Sequence, residues 1–347
     1  MKGNSIEKLL MKNETVTNCH HLKIQVYKNI VKEKYIFKIL TLLLILHIST
    51  TLIAKENEMD LQISYSRHAD LVFHVLAHMR VNNASNLHCE EYIETMSSKR
   101  GGFDFDLVSQ LREIEEYYNN NFGRLAIINF MPYFVPNFDV YKGALQSFQG
   151  FTPDDRMHFI TPFIEILDRE SVFFFDYWDK LHEANATLRT MVEERLREEL
   201  LKYSRIFDYF NKPPIAFLSY TMTRNGRGMM QESNFKAAVK FPRDMDDFYN
   251  TSFTLLHEYT HAFTDRLVGE QITMTNDTHE LSEMLVLLAD YYLVKGIDYE
   301  RLPLYKKKFF GNEYITEEQI IETLKIEKDL VMVLRELIDN ILRNVEE

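Results

Sequence analysis

The sequence predicts an α+β protein that is mainly helical, with a small β-sheet in its C-terminal part. Residues 68–211 place apolar side chains at intervals of three and four, the periodicity of helices packed on a core. The pattern changes after Pro213 and Pro214, where short strand-like segments occur, and becomes helical again after Pro242. A chain of 347 residues with 46% hydrophobic content is long enough to bury a sizeable core.

Residues 1–54 are predicted to be a leader that contains a signal peptide. The apolar run 39–54 follows Lys32, Lys34 and Lys38, which is the charge-then-apolar order of a secretory signal. This run is shorter than the roughly 20 apolar residues that a membrane span needs, which favours a cleaved signal over an anchor. We therefore expect an exported protein, periplasmic or secreted, with a membrane tether through 39–54 as the alternative.

Residues 55–212 are predicted to form a helical N-terminal region. The helical period is clearest in three segments, HADLVFHVLAHMRV, FDLVSQLREIEEYY and ATLRTMVEERLREELLKYSRIFDYF. His74 and His78 in the first segment lie four residues apart, but no acidic base separates them, so packing in the core is the preferred interpretation. No chemistry is predicted for this region.

Residues 213–347 are predicted to form a second domain. The ranges 215–222 and 234–241 have the composition of strands, and the turn-forming residues 225–228 lie between them, which predicts a β-hairpin with a long tip. The sequence then predicts helices over 245–268 and 278–294, followed by further helices to the C-terminus.

Charge and cysteine content exclude several classes of protein. The net charge is −12, and because the leader is basic the remainder is more acidic still, which argues against a nucleic-acid partner. There are two cysteines, Cys19 and Cys89, and the first belongs to the predicted leader. A disulfide framework or a cysteine-rich metal site is therefore not expected, and any metal would need histidine and carboxylate ligands.

The motif His257-Glu258-Tyr259-Thr260-His261 carries the chemistry of this sequence. On a helix, residues four apart share one face, so the imidazoles of His257 and His261 can converge on one ion. Zinc in a catalytic site takes three protein ligands and leaves one position for water, whose pKa it lowers. Glu258 lies beside the two ligands and is the predicted general base that activates the zinc-bound water.

The flanks of the motif are uncharged, as in the segment TLLHEYTHAF. Two imidazoles and a carboxylate in such an apolar helix are costly to bury unless a metal satisfies them. This segment resembles the zinc-binding helix of the zincin metallopeptidases, and the match extends over about 40 residues. The resemblance is to the gluzincin branch, because the third histidine and the Met-turn of other branches are absent. It implies a zincin-like C-terminal domain, one Zn²⁺ ion and a third ligand from a glutamate on a later helix.

Two glutamates in THELSEMLVLLADYYLV are candidates for that third ligand. Glu280 has a suitable distance along the chain, but it also fits a capping box opened by Asp277. Glu283 lies deeper in an apolar helix, where an unpaired carboxylate would be destabilising, and this favours Glu283 over Glu280. Asp290, two turns further on the same face, is predicted to orient a zinc-bound imidazole from outside the ligand set. His279 is a weaker candidate ligand.

The resemblance also implies a residue that binds the oxyanion of the transition state, for which Tyr291, Tyr292 and Tyr220 are candidates that the sequence does not separate. In zincins the strand before the active helix commonly pairs with extended substrate, so the range 234–241 resembles a peptide-binding edge.

We therefore expect a zinc metallopeptidase that hydrolyses bonds in a peptide or protein substrate. One alternative is a non-catalytic binding protein of the cell envelope that keeps a zincin scaffold. The other is a zinc hydrolase of a non-peptide bond, since the metal alone does not select amides. The presence of the base Glu258 favours an enzyme over the binding protein.

Overall fold

The computed structural model describes residues 61–80, 90–101, 105–207, 210, 212–223, 226–231, 234–269 and 276–343. The predicted leader and both cysteines lie outside these residues. Within the described residues, no helix combines the length and the apolar character that crossing a membrane requires.

The N-terminal region contains six helices of eight residues or more within its described part. They are α1 (Arg67–Ala77), α2 (Glu90–Arg100), α3 (Leu107–Asn120), α4 (Phe138–Ser147), α5 (Thr161–Ala184) and α6 (Ala186–Leu201). Shorter helical turns lie at Phe122–Leu125, Ala126–Asn129, Met131–Phe134, Pro153–Asp155, Arg156–Ile160 and Ser204–Phe207. The mainly helical character predicted from the period of apolar residues is confirmed for this part of the chain.

Helix α5 forms the centre of the N-terminal core. Phe163, Leu167 and Phe174 on α5 are buried and pack in one apolar cluster with residues of α1 and α3, such as Leu71 and Leu111. These side chains recur at the spacing of one helical face, so burying that face removes a continuous apolar stripe from water.

In the part of the chain that the structure describes, the sheet has four strands, β1 (Gln62–Ser64), β2 (Ile215–Ser219), β3 (Arg227–Gln231) and β4 (Asn234–Lys240), in the order β1-β2-β4-β3. Strand β2 pairs with β1 and β4 in parallel, whereas β3 and β4 are antiparallel. The prediction of a small sheet in a mainly helical α+β protein is confirmed.

The predicted hairpin between 215–222 and 234–241 is wrong. These two segments are parallel neighbours, and the hairpin is formed by β3 and β4 instead. Residues Arg227 and Gly228, which were assigned to the turn, begin the strand β3. Two glycines beside an arginine carry a strong turn signal and a weak strand signal, because β-branched and aromatic residues are missing.

Strand β1 belongs to the sheet although it lies in the region predicted to be helical. Its pairing partner β2 lies beyond the boundary predicted near residue 212. Three residues are too few to show a strand period, so the sequence around Gln62–Ser64 gave no signal for it.

Asp70 joins the helical region to the end of β2. Its carboxylate accepts hydrogen bonds from the hydroxyl of Ser219, from Nε1 of Trp178 at 2.7 Å and from the backbone N–H of Tyr220 at 3.1 Å. Burial raises the pKa of Asp70 to about 6, and the hydrogen bonds oppose this effect. Helices α1 and α5 are thereby held against the carboxyl end of a sheet strand.

The C-terminal part consists of α7 (Phe248–Gly269), α8 (Asn276–Ile297), a short turn (Tyr299–Arg301), α9 (Leu302–Phe310), α10 (Glu317–Leu324) and α11 (Lys328–Arg343). Helix α7 is buried along residues 251–260. Its threonines suit this environment because Thr254, Thr260 and Thr264 donate to carbonyls one turn earlier, at 2.7, 2.9 and 3.1 Å. The hydroxyls of these three threonines are thus satisfied within the helix.

Candidate metal centre

Helix α7 directs two imidazole rings to the same side. The ring centroids of His257 and His261 are 5.0 Å apart, and their planes are inclined at 86°. Residues four apart on a helix lie one above the other, so this proximity follows from the spacing in the sequence. His257 is buried, while His261 is partly exposed.

Helix α8 brings a carboxylate to both rings. The Oε2 atom of Glu283 lies 3.4 Å from Nε2 of His257, and its Oε1 atom lies 3.4 Å from Nε2 of His261. One ligand atom from each of the three residues lies within 4.8 Å of the others. We call His257, His261 and Glu283 the His-His-Glu triad.

The other candidate ligand on α8 is placed differently. The side chain of Glu280, one turn before Glu283, is exposed to solvent. The side chain of His279 lies outside the described part of the structure. The structure therefore brings Glu283, and not Glu280, to the two imidazoles.

Asp290 lies on the far side of the His257 ring. Its Oδ2 atom is 3.0 Å from Nδ1 of His257, and the carboxylate is fully buried. The ring of Phe309 on α9 stacks on His257 with centroids 5.5 Å apart. The hydrogen bond that Nδ1–H donates to Asp290 directs the Nε2 side of the ring toward Glu283, where a cation would bind, and the stacked ring restricts rotation.

The charges of the His-His-Glu triad depend on one another. Burial lowers the pKa of His257, but the hydrogen bonds with Asp290 and Glu283 raise it, to about 9. For Glu283, burial raises the pKa, and the bonds with His257 and His261 lower it to well below its usual range. Glu283 is accordingly a carboxylate, the form that coordinates a cation.

Glu258 lies beside the His-His-Glu triad and points toward the sheet. Its side chain is buried, which raises the pKa of its carboxyl group, while the charges of His257 and His261 lower it. A Cβ atom on Gly226 would overlap Oε1 of Glu258, and one on Gly228 would lie 2.8 Å from Oε2. The carboxylate therefore occupies space that two glycines of the β3 segment leave open.

The strand beside Glu258 is the edge of the sheet. Strand β4 pairs with β2 on one side and β3 on the other, so the prediction that 234–241 is a peptide-binding edge is wrong. Within the described residues, β3 pairs on one side alone and ends the sheet.

The sequence did not reveal this role because Gly226 and Gly228 carry a turn signal. Two glycines flanking one residue, ahead of the helix that carries His257 and His261, are the signal that could have found it.

The three tyrosines proposed for the oxyanion are engaged elsewhere. The hydroxyl of Tyr292 donates to Glu317 at 3.1 Å, and its ring packs on that of Tyr291. The hydroxyl of Tyr220 lies 3.1 Å from Nδ1 of His182. No contact described for these tyrosines reaches the His-His-Glu triad, so the structure does not bring them to the candidate site.

His74 on α1 and His78, which directly follows α1, also have other partners. Nε2 of His74 lies 2.8 Å from Glu170, which receives two bonds from Arg100 at 2.8 and 2.9 Å. His78 donates through Nδ1 to the carbonyl of His74 at 2.7 Å. This buried cluster connects α1, α2 and α5.

The donors of the His-His-Glu triad fit zinc. Two imidazole nitrogens and one carboxylate oxygen are a known ligand set for a catalytic zinc site, with a fourth position left for water. Asp290 accepts a hydrogen bond from Nδ1 of His257, as the outer partners of zinc-ligating histidines do in such sites. Comparisons with protein-family models, with curated proteins and with solved structures found no match to this chain. Any functional assignment therefore rests on the geometry of the site.

Proposed function

We propose that the chain is a zinc-dependent peptidase with a zincin-like catalytic domain of the gluzincin kind. His257, His261 and Glu283 hold one Zn²⁺ ion, and Glu258 is the general base. The observation that supports this most strongly is that Glu283, on a different helix, reaches both imidazoles with its two carboxylate oxygens. A chance pair of histidines on a helix would not have such a partner.

The proposed chemistry divides between the ion and the chain. Zinc held at this site would supply Lewis acidity and acidify water at the position that its three ligands leave open. Glu258 would accept a proton from water as the water oxygen attacks the carbonyl carbon, and would deliver that proton to the amine as the C–N bond breaks. Its burial favours the protonated form, which helps a carboxylate to accept the proton.

The edge strand β3 provides a binding mode for the substrate. An extended peptide adds to an exposed sheet edge through backbone hydrogen bonds, which supply affinity, while its side chains supply specificity. The edge lies against Glu258 through Gly226 and Gly228. A peptide on this edge is therefore held next to the general base, and we propose a peptide or protein as the substrate.

Metal analysis and turnover of the purified full chain test this proposal. We expect about one zinc per chain in the wild type and in Glu258→Gln. Cleavage of a peptide mixture should fall by about 10²–10⁴-fold in Glu258→Gln, the usual contribution of a general base. The matched control is Glu336→Gln, which removes an exposed carboxylate from α11 and should leave turnover unchanged.

Three results would contradict the proposal. Full turnover by Glu258→Gln would exclude the assigned base, and wild-type protein without zinc would exclude the assigned metal. Hydrolysis of esters or phosphoesters without cleavage of any peptide would instead identify a hydrolase of another bond. Export, predicted from residues 1–54, is tested separately by the location of the full chain in fractionated cells.

A further inference from the structure

The register of β3 separates its side chains between two faces of the sheet. Arg227 pairs with Ala238, and Gly228 pairs with Ala237. Residues paired across an antiparallel ladder point to the same face, and successive residues point to opposite faces. Arg227 therefore lies on the face of Ala238, whereas Gly228 lies on the face toward Glu258.

The face that carries Arg227 is covered by the N-terminal helical region. Ala238 packs in one cluster with Phe73 of α1 and with Tyr133. Helix α7 therefore lies on one face of the hairpin formed by β3 and β4, and the N-terminal helical region lies on the other face.

The guanidinium of Arg227 stays close to the edge. Its Nη1 atom donates to the carbonyl of Gly226 at 2.8 Å, and Gly226 is the residue that lies against Glu258. The side chain of Arg227 is partly exposed. A positive charge is thus held on the edge strand, next in sequence to a glycine that lies against the proposed catalytic base.

A second cation lies on the same face. Lys236 pairs with Met229, two residues along β3 from Arg227, so the two side chains are diagonal neighbours. Nζ of Lys236 donates to the carbonyl of Tyr133 at 2.8 Å. The hydroxyl of Tyr133 is buried and has no hydrogen-bond partner among the described residues. Arg227 and Lys236 thus place two cationic side chains on one face of the sheet.

We propose that Arg227 selects an acidic side chain in the substrate, at the peptide residue that pairs with Arg227 on the edge of β3. This inference rests on the proposed peptidase function and names its substrate class. A residue added opposite Arg227 would have its Cβ atom about 5 Å from that of Arg227 and on the same face. A carboxylate there accepts a charge-assisted hydrogen bond from the guanidinium, and a neutral or basic side chain does not.

A peptide library tests the proposal in two arms. In the first, the wild type cleaves a randomised mixture of capped ten-residue peptides, and the products are sequenced by mass spectrometry. In the second, the same mixture is passed over immobilised, zinc-loaded Glu258→Gln protein, and the retained peptides are sequenced. We expect Asp and Glu to be enriched at one fixed distance from the cleaved bond, and by about ten- to hundredfold over Gln and Asn.

Substitution of Arg227 should change the preference and leave the metal site intact. Arg227→Gln should abolish the acidic enrichment in both arms, and Arg227→Glu should enrich Lys and Arg at the same position. The matched control, Arg112→Gln, removes an exposed cation from α3 and should keep the wild-type preference. Zinc content and thermal unfolding verify that each variant is folded, and Arg227→Gln alone decides the question if Arg227→Glu does not fold.

Failure of this inference is distinguishable from failure of the peptidase proposal. An acidic enrichment that persists in Arg227→Gln, or wild-type selection without any acidic enrichment, would overturn the role of Arg227 while leaving the peptidase intact. Absence of cleavage by the wild type would overturn the peptidase. The retention arm would still measure the preference in that case, and retention of no peptide would overturn the inference as well.

Discussion

Asp290 places a carboxylate oxygen 3.0 Å from Nδ1 of His257, on the side of the ring opposite Glu283. Loss of such an outer partner commonly costs about 10–100-fold in metal affinity. We expect that loss in Asp290→Asn, measured by competition with a chelator of known zinc affinity. Asp339→Asn, an exposed substitution on α11, is the control and should bind zinc as the wild type does. Unchanged affinity in Asp290→Asn would show that Asp290 does not orient the ligand.

The two glutamates of α8 provide a matched pair for the third ligand. Glu283→Gln replaces the carboxylate that meets both imidazoles with a neutral amide, so we expect zinc to be lost on dialysis. Glu280→Gln changes an exposed side chain one turn earlier, and zinc content should stay at the wild-type value. Elemental analysis of both proteins measures the difference. Zinc lost from Glu280→Gln and kept by Glu283→Gln would reverse the assignment.

Gly226 and Gly228 leave the space that the Glu258 carboxylate occupies. Gly226→Ala should displace that carboxylate without touching the triad, because the new methyl group would overlap Oε1. A displacement of about 1 Å can reduce turnover by roughly 10²-fold, and we expect this loss in kcat with zinc fully retained.

Gly143→Ala on α4 is the control for the glycine substitution. No heavy atom outside its own helix lies within 4 Å of a Cβ at this position, and alanine is favoured over glycine inside a helix. Turnover and stability should therefore be kept or slightly increased. Normal turnover by Gly226→Ala would show that Glu258 does not depend on the backbone of the edge strand.

Asp70 makes stability depend on pH. Burial raises its pKa to about 6, above the value of about 3.9 of an unfolded chain. Between these values the folded state keeps a proton that the unfolded state has released, so the free energy of unfolding falls as the pH rises. Asp70→Asn removes this dependence while weakening the bonds to Ser219, Trp178 and Tyr220.

Urea unfolding of wild type and Asp70→Asn at pH 4, 5, 6 and 7 measures this effect. We expect the destabilisation caused by the substitution to be about 2 kcal/mol larger at pH 4 than at pH 7. Asp179→Asn, at a half-exposed carboxylate paired with Arg67, should show no comparable trend. A difference that grows with pH would mean that Asp70 is ionised throughout the range.

Local sequence patterns predicted those features of the candidate site that follow from the spacing of residues along one helix. The spacing of His257 and His261 fixes their convergence, and the apolar run around Glu283 explains why a carboxylate there needs a partner. Asp290 was found because it lies two turns beyond Glu283, on the same face. These residues come together in the structure because both helices are regular and pack against each other.

The arrangement of the sheet could not be predicted in the same way. For β2 and β4 to pair in parallel, the chain between them must first form β3 at the edge of the sheet. Neither β2 nor β4 carries a sequence pattern that indicates this order. Strand β3 was not predicted because Gly226 and Gly228 are typical of a turn. In the structure these two glycines leave space for the carboxylate of Glu258. Tyr133 of the helical region packs in one cluster with Ala238, on the face of the sheet that Arg227 shares, and no pattern in the sequence predicted this contact.

The pairing of β1 with β2 also constrains how the molecule is made. The ribosome releases Gln62–Ser64 first, and this segment gains its neighbour Ile215–Ser219 only after the whole helical region has been synthesised. Closing so long a loop is slow compared with forming local helices. A fragment that started at residue 213 would leave one side of β2 without a partner, and such an open strand invites association between chains. The C-terminal region therefore depends on the polypeptide that precedes it.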